Sequence, residues 1–327
     1  MCAVQAQDYG MAKWALALRS SHATPAAVDN AIDTGAVLRT HALRPTWHFL
    51  SADDIYWILD LTAPRILAGQ RHRLKELELD SATLGRSTAI IAKALAGGNS
   101  LTREELLALI RDAGISTAHN RASHILAWAE LHQVICSGAP RNGKPAYALL
   151  QERVPRAKRM TKEESLATLA RRYFRSRGPA TLPDFSWWSG LPLREAREGL
   201  EMVKRSLVAE PAGSSMLWSD GSPCTRAGGG VHLLPAFDEY LIGYRDRSAQ
   251  LPLADQKAAV SSNGIFWPIV VAHGAVIGRW RKQAKGRGVA VTVRTFKGAR
   301  VPAQSRLASA LARAEEFFGA RPAAEPS

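Results

Sequence analysis

Two consecutive stretches of this chain pass through the same order of elements, and that repetition constrains its fold more than any other feature. In the first, residues 99–155, the spacing from Thr102 to Glu105 makes a capping box at the start of a helix whose apolar stripe is Leu106, Leu109 and Ile110. A turn at Gly114 leads to a second helix over residues 119–132. Residues 133–136 and 145–150 then read as strands around a loop, 137–144, that holds two glycines, a proline, Arg141 and Lys144. In the second stretch, residues 156–229, helices are predicted over 161–175, 182–188 and 193–204, the first with Leu166, Leu169, Ala170 and Tyr173 inward. Hairpin strands follow over 207–210 and 215–218. Helix, helix, hairpin is the order of a winged helix, a helix-turn-helix with a β-ribbon attached. The repeat is one of architecture; no residue-level repeat accompanies it.

The flanks differ from the repeated core. Asp8 can cap a helix over residues 9–19 that turns Met11, Trp14, Ala15 and Leu18 to one face. Residues 37–50 alternate weakly and read as a strand or hairpin, and Ser51 precedes a helix that buries Ile55, Ile58 and Leu59. Beyond Gly228-Gly229-Gly230, which reads as a flexible link, short β-like runs occur at 231–235 and 269–271. Residues 276–280 and 289–296 look like paired strands around a Gly-rich basic turn, and a helix over 305–318 closes the chain. The expected fold is mainly α with small β-hairpins, an α+β chain. Its segments are a winged-helix-like N-terminal part (1–98), two winged helices (99–155 and 156–229) and a C-terminal α+β basic region (230–327).

Charge points to the partner. The formal net charge is +14 over 327 residues, which favours a polyanion because cations that neutralise phosphates release condensed counterions. Arginine outnumbers lysine 32 to 11, which suits forked recognition of phosphate oxygens and equally suits a GC-rich genome. From Gln256 to Ala314 there is no Asp or Glu and there are eleven Lys or Arg, a local net charge of +11. Arg279, Arg281, Lys282, Lys285 and Arg287 fall within nine residues of that stretch. A solvated surface usually interleaves both signs, so this run and the Arg141–Lys144 loop are the candidate DNA-binding surfaces.

Several classes are excluded. Cys2, Cys136 and Cys224 are odd in number and far apart, which gives neither metal-ligand spacing nor a disulfide framework, and suits a reducing cytoplasm. No apolar run approaches the roughly 18 residues of a membrane span, and the N-terminus does not read as a signal peptide. Phosphate loops, nucleophile elbows and zinc-protease or zinc-deaminase patterns are all missing. No cofactor and no metal is expected, and without a coiled coil or dimer helix the chain is expected to be a monomer. Of the nine tryptophans, Trp14, Trp57 and Trp128 lie on apolar helix faces and read as core, as most should, whereas Trp47 is a candidate for contact with DNA.

Three short stretches remain. Residues 3–10 contain Gln5-Ala6-Gln7; residues 43–49 contain Arg44-Pro45-Thr46-Trp47-His48-Phe49; residues 235–247 begin Pro235-Ala236-Phe237-Asp238-Glu239-Tyr240. Taken singly, the glutamines read as loop residues, His48 as a hydrogen-bonded structural histidine, and Asp238 and Glu239 as a cap or ion-pair partners. Together the stretches resemble the winged-helix DNA glycosylases of the AlkZ and YcaQ type. Members carry a Gln-apolar-Gln or Gln-apolar-Asp catalytic motif, matched by Gln5-Ala6-Gln7. They also carry an Arg-(Gly or Pro)-Thr-x-His-apolar motif, matched at every position from Arg44 to Phe49. The resemblance covers nearly the whole chain. In one respect the chain departs from the family: members usually have a helix or two before the glutamine motif, which here begins at the fifth residue, as in a truncated chain.

The resemblance implies a monofunctional DNA glycosylase acting on N7- or N3-alkylated purines in double-stranded DNA, crosslinked ones included. Gln5 and Gln7 would be catalytic, and Arg44, Thr46, Trp47 and His48 would support the site or contact DNA. Two other readings stay open on the residues alone. A non-catalytic winged-helix regulator would show sharp sequence preference without base release. An RNA or other polyanion binder lacks any supporting aromatic motif.

Overall fold

The computed structural model describes residues 1–21, 24–156, 159–222, 230–286 and 288–319. Lys158, Cys224, Arg287 and the Gly228-Gly229 part of the link lie outside them. Two compact units interleave along the sequence. One is built from Met1–Ala3, Asp29–Arg172 and Ser189–Met202, the other from Val4–Val28, Tyr173–Trp188 and Val203–Ser327. Helices and small sheets alternate in both, so the chain is mixed α/β. Among the described residues no helix is long and apolar enough to cross a membrane.

In the first unit the 37–50 region is a hairpin, Val37–Ala42 against Thr46–Ser51, with Thr40 opposite His48 and His41 opposite Trp47. The helix Ile55–Glu76 buries all five residues from Ile55 to Leu59, so its first turn is enclosed on every side, and Thr62, Ala63 and Ile66 continue from it as an inward stripe. Asp80, through an acceptor oxygen 2.7 Å from the Thr83 N–H, starts a helix over Ser81–Leu95 that sequence reading had missed. The capping box is as expected: Thr102 Oγ1 accepts from the Glu105 N–H (3.3 Å) and the Glu105 carboxylate accepts from the Thr102 N–H (2.7 Å).

Helices Arg103–Asp112 and Arg121–Leu131 lead into the strands Ile135–Arg141 and Lys144–Leu149, which with Leu101–Thr102 form a three-stranded sheet. Leu84, Ile91, Leu95, Leu106, Ile110, Ile125, Leu126 and Leu149 close one core beneath it. The expected loop over 137–144 is mostly strand instead. Only Asn142 and Gly143 turn, both at positive φ (50° and 72°), the conformation of a two-residue hairpin turn that Asn-Gly adopts readily. Further on, Gly199 lets the helix Leu193–Val203 lie close to Lys162–Arg177, since a Cβ there would sit 2.9 Å from the Leu166 carbonyl.

The second unit centres on a four-stranded antiparallel sheet in the order Gly288–Thr295, Ala275–Lys285, Ile269–Ala272, Val231–Leu234. On one face lie Leu234, Ile269, Val271 and Val276 with Leu241, Leu251 and Ala259. Against the sheet packs the helix Gln304–Gly319, whose Phe317 and Phe318 meet Trp14 (4.9 and 5.8 Å) and, for Phe318, Trp280 (5.9 Å). Trp14 comes from the helix Tyr9–Leu18, capped by Asp8 as the sequence suggests. Tyr173, Phe174, Phe185 and Trp188 form a separate aromatic cluster, and the hairpin Val208–Ala212 with Ser215–Ser219 joins Ala180 through a bridge to Trp218.

Candidate functional site

The glutamine pair sits on a segment of the second unit that is gripped at both ends. Gln5 ends the short strand Ala3–Gln5, and Ala6 to Asp8 turn the chain into the helix Tyr9–Leu18. Gln5 is 7 % exposed and Ala6 fully buried, while Gln7 is exposed. At the front, the Gln5 N–H donates to Glu239 Oε1 (2.9 Å). Glu239 is itself 3 % exposed. Its second oxygen accepts from Trp188 Nε1 (2.8 Å) and from Nε and Nη2 of the buried Arg177, the former at 3.2 Å. Arg177 lies over the Trp188 ring (4.2 Å). Such a carboxylate is tolerated only because both oxygens are bonded and its charge is paired; removing a partner from a buried pair of this kind costs about 3–5 kcal/mol.

At the back, Arg19 donates from Nη1 and Nη2 to the two oxygens of Asp238 (2.9 and 2.6 Å). Burial alone would lower the Arg19 pKa, but the Asp238 carboxylate, together with the charge of Glu239, holds the guanidinium above its ordinary value. Asp238 also caps the helix Glu239–Ile242 by accepting from the Tyr240 N–H (2.8 Å). Trp14 Nε1 donates to the Leu233 carbonyl (2.7 Å), so the helix between the two grips is tied to the sheet as well.

Residues 1–317 match the family described as "DNA glycosylase AlkZ-like". The chain belongs to the AlkZ-like DNA glycosylase family. It is similar to the "Interstrand DNA cross-link repair glycosylase" of Streptomyces sahachiroi, 27 % identical over 310 residues that cover 86 % of this chain and 80 % of that protein. The solved structure of the Streptomyces sahachiroi DNA glycosylase AlkZ shares its fold, with a TM-score of 0.77, 21 % identity, and coverage of 97 % of this chain and 88 % of that one. This AlkZ-like protein is therefore a DNA glycosylase, a hydrolase of N-glycosyl bonds.

The second motif of the glycosylase lies in the first unit, on the hairpin that turns through Leu43 (φ 56°). Alternation along the Thr46–Ser51 strand splits the motif between two faces. Thr46 and His48 share one with Thr40; Trp47 shares the other with His41 and Arg39. His48 is fully buried, its Nδ1 3.0 Å from the Thr46 carbonyl. The Trp47 ring has Arg39 at 4.3 Å and the His41 ring at 4.5 Å, and His41 Nδ1 is hydrogen-bonded to the buried Glu130. Arg44 is half-buried in the turn, where its carbonyl accepts from the Thr46 N–H (2.6 Å).

The two basic hairpins differ in what holds their charges. Arg141 donates to the Ser100 carbonyl (2.9 Å) and pairs with Glu105 (3.3 Å); Lys144, across the turn, is exposed. The helix before this hairpin, Arg121–Leu131, buries seven of its eleven residues, Glu130 among them, leaving little of it to enter a groove. In the C-terminal hairpin Arg279, Arg281 and Lys285 alternate onto one face, and the register adds Arg294, opposite Arg279, to the same face. Lys282 points the other way, its Nζ over the Phe318 ring (4.2 Å). Arg294 was missed in the sequence because it lies outside the dense cluster, and pairing the two strands residue by residue would have found it.

Proposed function

We propose that this glycosylase hydrolyses the N-glycosidic bond of N7- or N3-alkylated purines in double-stranded DNA, purines crosslinked between strands included, with Gln5 and Gln7 as its catalytic residues. The observation that carries the reading is the segment holding two neutral amides, held at Gln5 through its backbone N–H by Glu239 and at Arg19 through its side chain by Asp238. A carboxamide cannot take a proton as a carboxylate does. It can accept from and donate to a water, and so aim the water's lone pair at the anomeric carbon. An alkylated purine is already cationic, so the bond to the sugar breaks with its electron pair neutralising the base, and no acid is needed at the leaving group. Water adds to the oxocarbenium-like sugar carbon and its proton goes to solvent. Holding the water in place is the work left to the protein, and positioning alone contributes several kcal/mol. The same argument predicts weak action on neutral lesions such as uracil.

We read residues 99–155 and 156–229 as two winged helices, because each runs through helices into an antiparallel hairpin. Arg279, Arg281, Lys285 and Arg294 would meet phosphates, and Thr46, His48 and Arg44 would brace the hairpin that carries Trp47. The crosslink-repair name of the Streptomyces sahachiroi relative supports including crosslinked purines. The protein would act as a monomer on chromosomal DNA in the cytoplasm.

The test is release of 7-methylguanine from methylated DNA. Replacing Gln5 and Gln7 together with alanine lowers release about 100-fold or more, the order expected when a positioning contact to the reacting water is lost. DNA affinity stays within about twofold. Full activity in the double variant overturns the assignment.

A further inference from the structure

Trp267 is a large apolar side chain that the fold leaves 40 % exposed, and its surroundings single it out from the other open hydrophobic residues. Its backbone is not loose. The Trp267 N–H donates to the Ala259 carbonyl (3.0 Å), Phe266 bridges Val260, and the next residue, Pro268, accepts from the Trp280 N–H (3.2 Å). The indole is therefore presented from a fixed position. The Arg279 guanidinium stands 5.7 Å from its ring.

The sheet register says which surface this is. Arg279 pairs with Ile269, and opposite residues of an antiparallel pair point to the same face. Near Ile269 that face is the apolar core of the second unit. Past Arg279 it continues as Arg281, Lys285 and Arg294, with Thr292, Gln283, Ala290 and Gly288 between them and no carboxylate. Trp267 thus stands where the apolar core ends and the cationic face begins, beside the first cation of the row.

An open indole next to a row of cations is the combination that holds unpaired nucleotides. The ring offers a stacking surface to any base, and the guanidiniums take the flanking phosphates. A glycosylase that takes its target base out of the stack leaves an unpaired nucleotide on one strand or the other. We propose that Trp267, beside the phosphate-facing Arg279, forms a stacking site for one unstacked nucleobase of the bound DNA, at the root of the cationic hairpin. This rests on the hairpin facing phosphates and is independent of the roles given to Gln5 and Gln7.

The test compares two DNAs of equal length, one fully paired and one with a single base opposite a synthetic abasic site, binding the full chain in fluorescence anisotropy. Trp267→Ala weakens binding to the unpaired-base DNA roughly 5- to 150-fold, the range a lost base–aromatic stack gives, and leaves the paired duplex within about twofold. Trp267→Phe keeps most of the difference, because a phenyl ring still stacks. Arg279→Ala weakens both DNAs alike. Equal loss on the two DNAs with Trp267→Ala, or no loss on either, overturns the proposal. If Trp267→Ala melts early, intrinsic fluorescence decides instead. Unpaired-base DNA quenches the wild type more than Trp267→Phe, whereas equal quenching in both proteins overturns the stacking site.

Discussion

The hairpins Ile135–Leu149 and Ala275–Thr295 look alike in sequence and differ in what their charge is free to do. Both are antiparallel, both turn through glycine, and both carry Arg and Lys near the tip. In the first, Arg141 is engaged by the fold. Its guanidinium serves the Ser100 carbonyl and pairs with Glu105, the same carboxylate that closes the capping box with Thr102. In the second, among the described residues none of Arg279, Arg281, Lys285 and Arg294 makes an ion pair, and the chain supplies no acid from Gln256 to Ala314. A count of basic residues rates the two hairpins by the same measure. What matters for a phosphate partner is cation left without a carboxylate, and that follows from which strand residues share a face.

The largest effect that tests this contrast comes from removing the four cations of the C-terminal face together. Arg279, Arg281, Lys285 and Arg294 changed to alanine should flatten the dependence of log affinity on log salt by up to about 3.6, taking about 0.9 per phosphate contact. Extrapolated to 0.15 M salt, that is a loss of roughly 10²- to 10³-fold for duplex DNA. Titrations at several salt concentrations read both numbers. An unchanged slope would mean that the contrast between the hairpins has no bearing on DNA.

Local signals carried most of the elements and few of the long-range contacts. Asp8, Thr102 with Glu105, and the 3–4 spacing of Leu106 and Ile110 announced their helices because caps and apolar stripes act within one or two turns. The helix Ser81–Leu95 escaped notice although Asp80 caps it, since Gly85 and Ser87 dilute the stripe of Leu84, Ile91 and Leu95. Glu239 reads in isolation as a cap or an ion-pair partner. Its neighbour Asp238 is the cap, and Glu239 reaches Gln5 across 234 positions and Arg177 across 62. No local pattern encodes contacts at such separations. The glutamine and Arg-Pro-Thr-Trp-His stretches were legible only through their likeness to a family, because neutral amides and a buried histidine carry no chemistry that composition alone can mark.

A smaller effect sharpens the contrast within the C-terminal hairpin itself. Lys282 belongs to the dense basic cluster in sequence, yet it faces the helix Gln304–Gly319 and sits over Phe318. Lys282→Ala should leave the salt dependence of DNA binding unchanged and lower stability by about 0.5–1 kcal/mol, the range for a partly open cation over an aromatic ring. Thermal melting reads the second change and salt titration the first. A drop in salt slope equal to that of Arg281→Ala would show that the alternation of the strand does not decide which cations meet DNA.

The smallest effect concerns Arg141, where the structure expects the charge to be cancelled rather than absent. Arg141→Ala should change DNA affinity less than Arg294→Ala does, although only Arg141 stands out in the sequence. Glu105→Gln probes the same pair from the other side: with the carboxylate gone, Arg141 regains its charge for solvent or phosphate, and the salt slope should steepen by up to about 0.9. The Thr102 N–H and hydroxyl hold the Glu105 carboxyl below its ordinary range. A carboxylate lowered in this way keeps its contribution above its unfolded value and loses it as pH falls through the lowered one. Neutral pH therefore leaves Arg141 masked, and acid frees it together with the cap. Wild type and Glu105→Gln should accordingly differ in salt slope at neutral pH and converge on acidification below the usual carboxylate range. A constant difference across that pH window would mean that the masking of Arg141 does not come from Glu105.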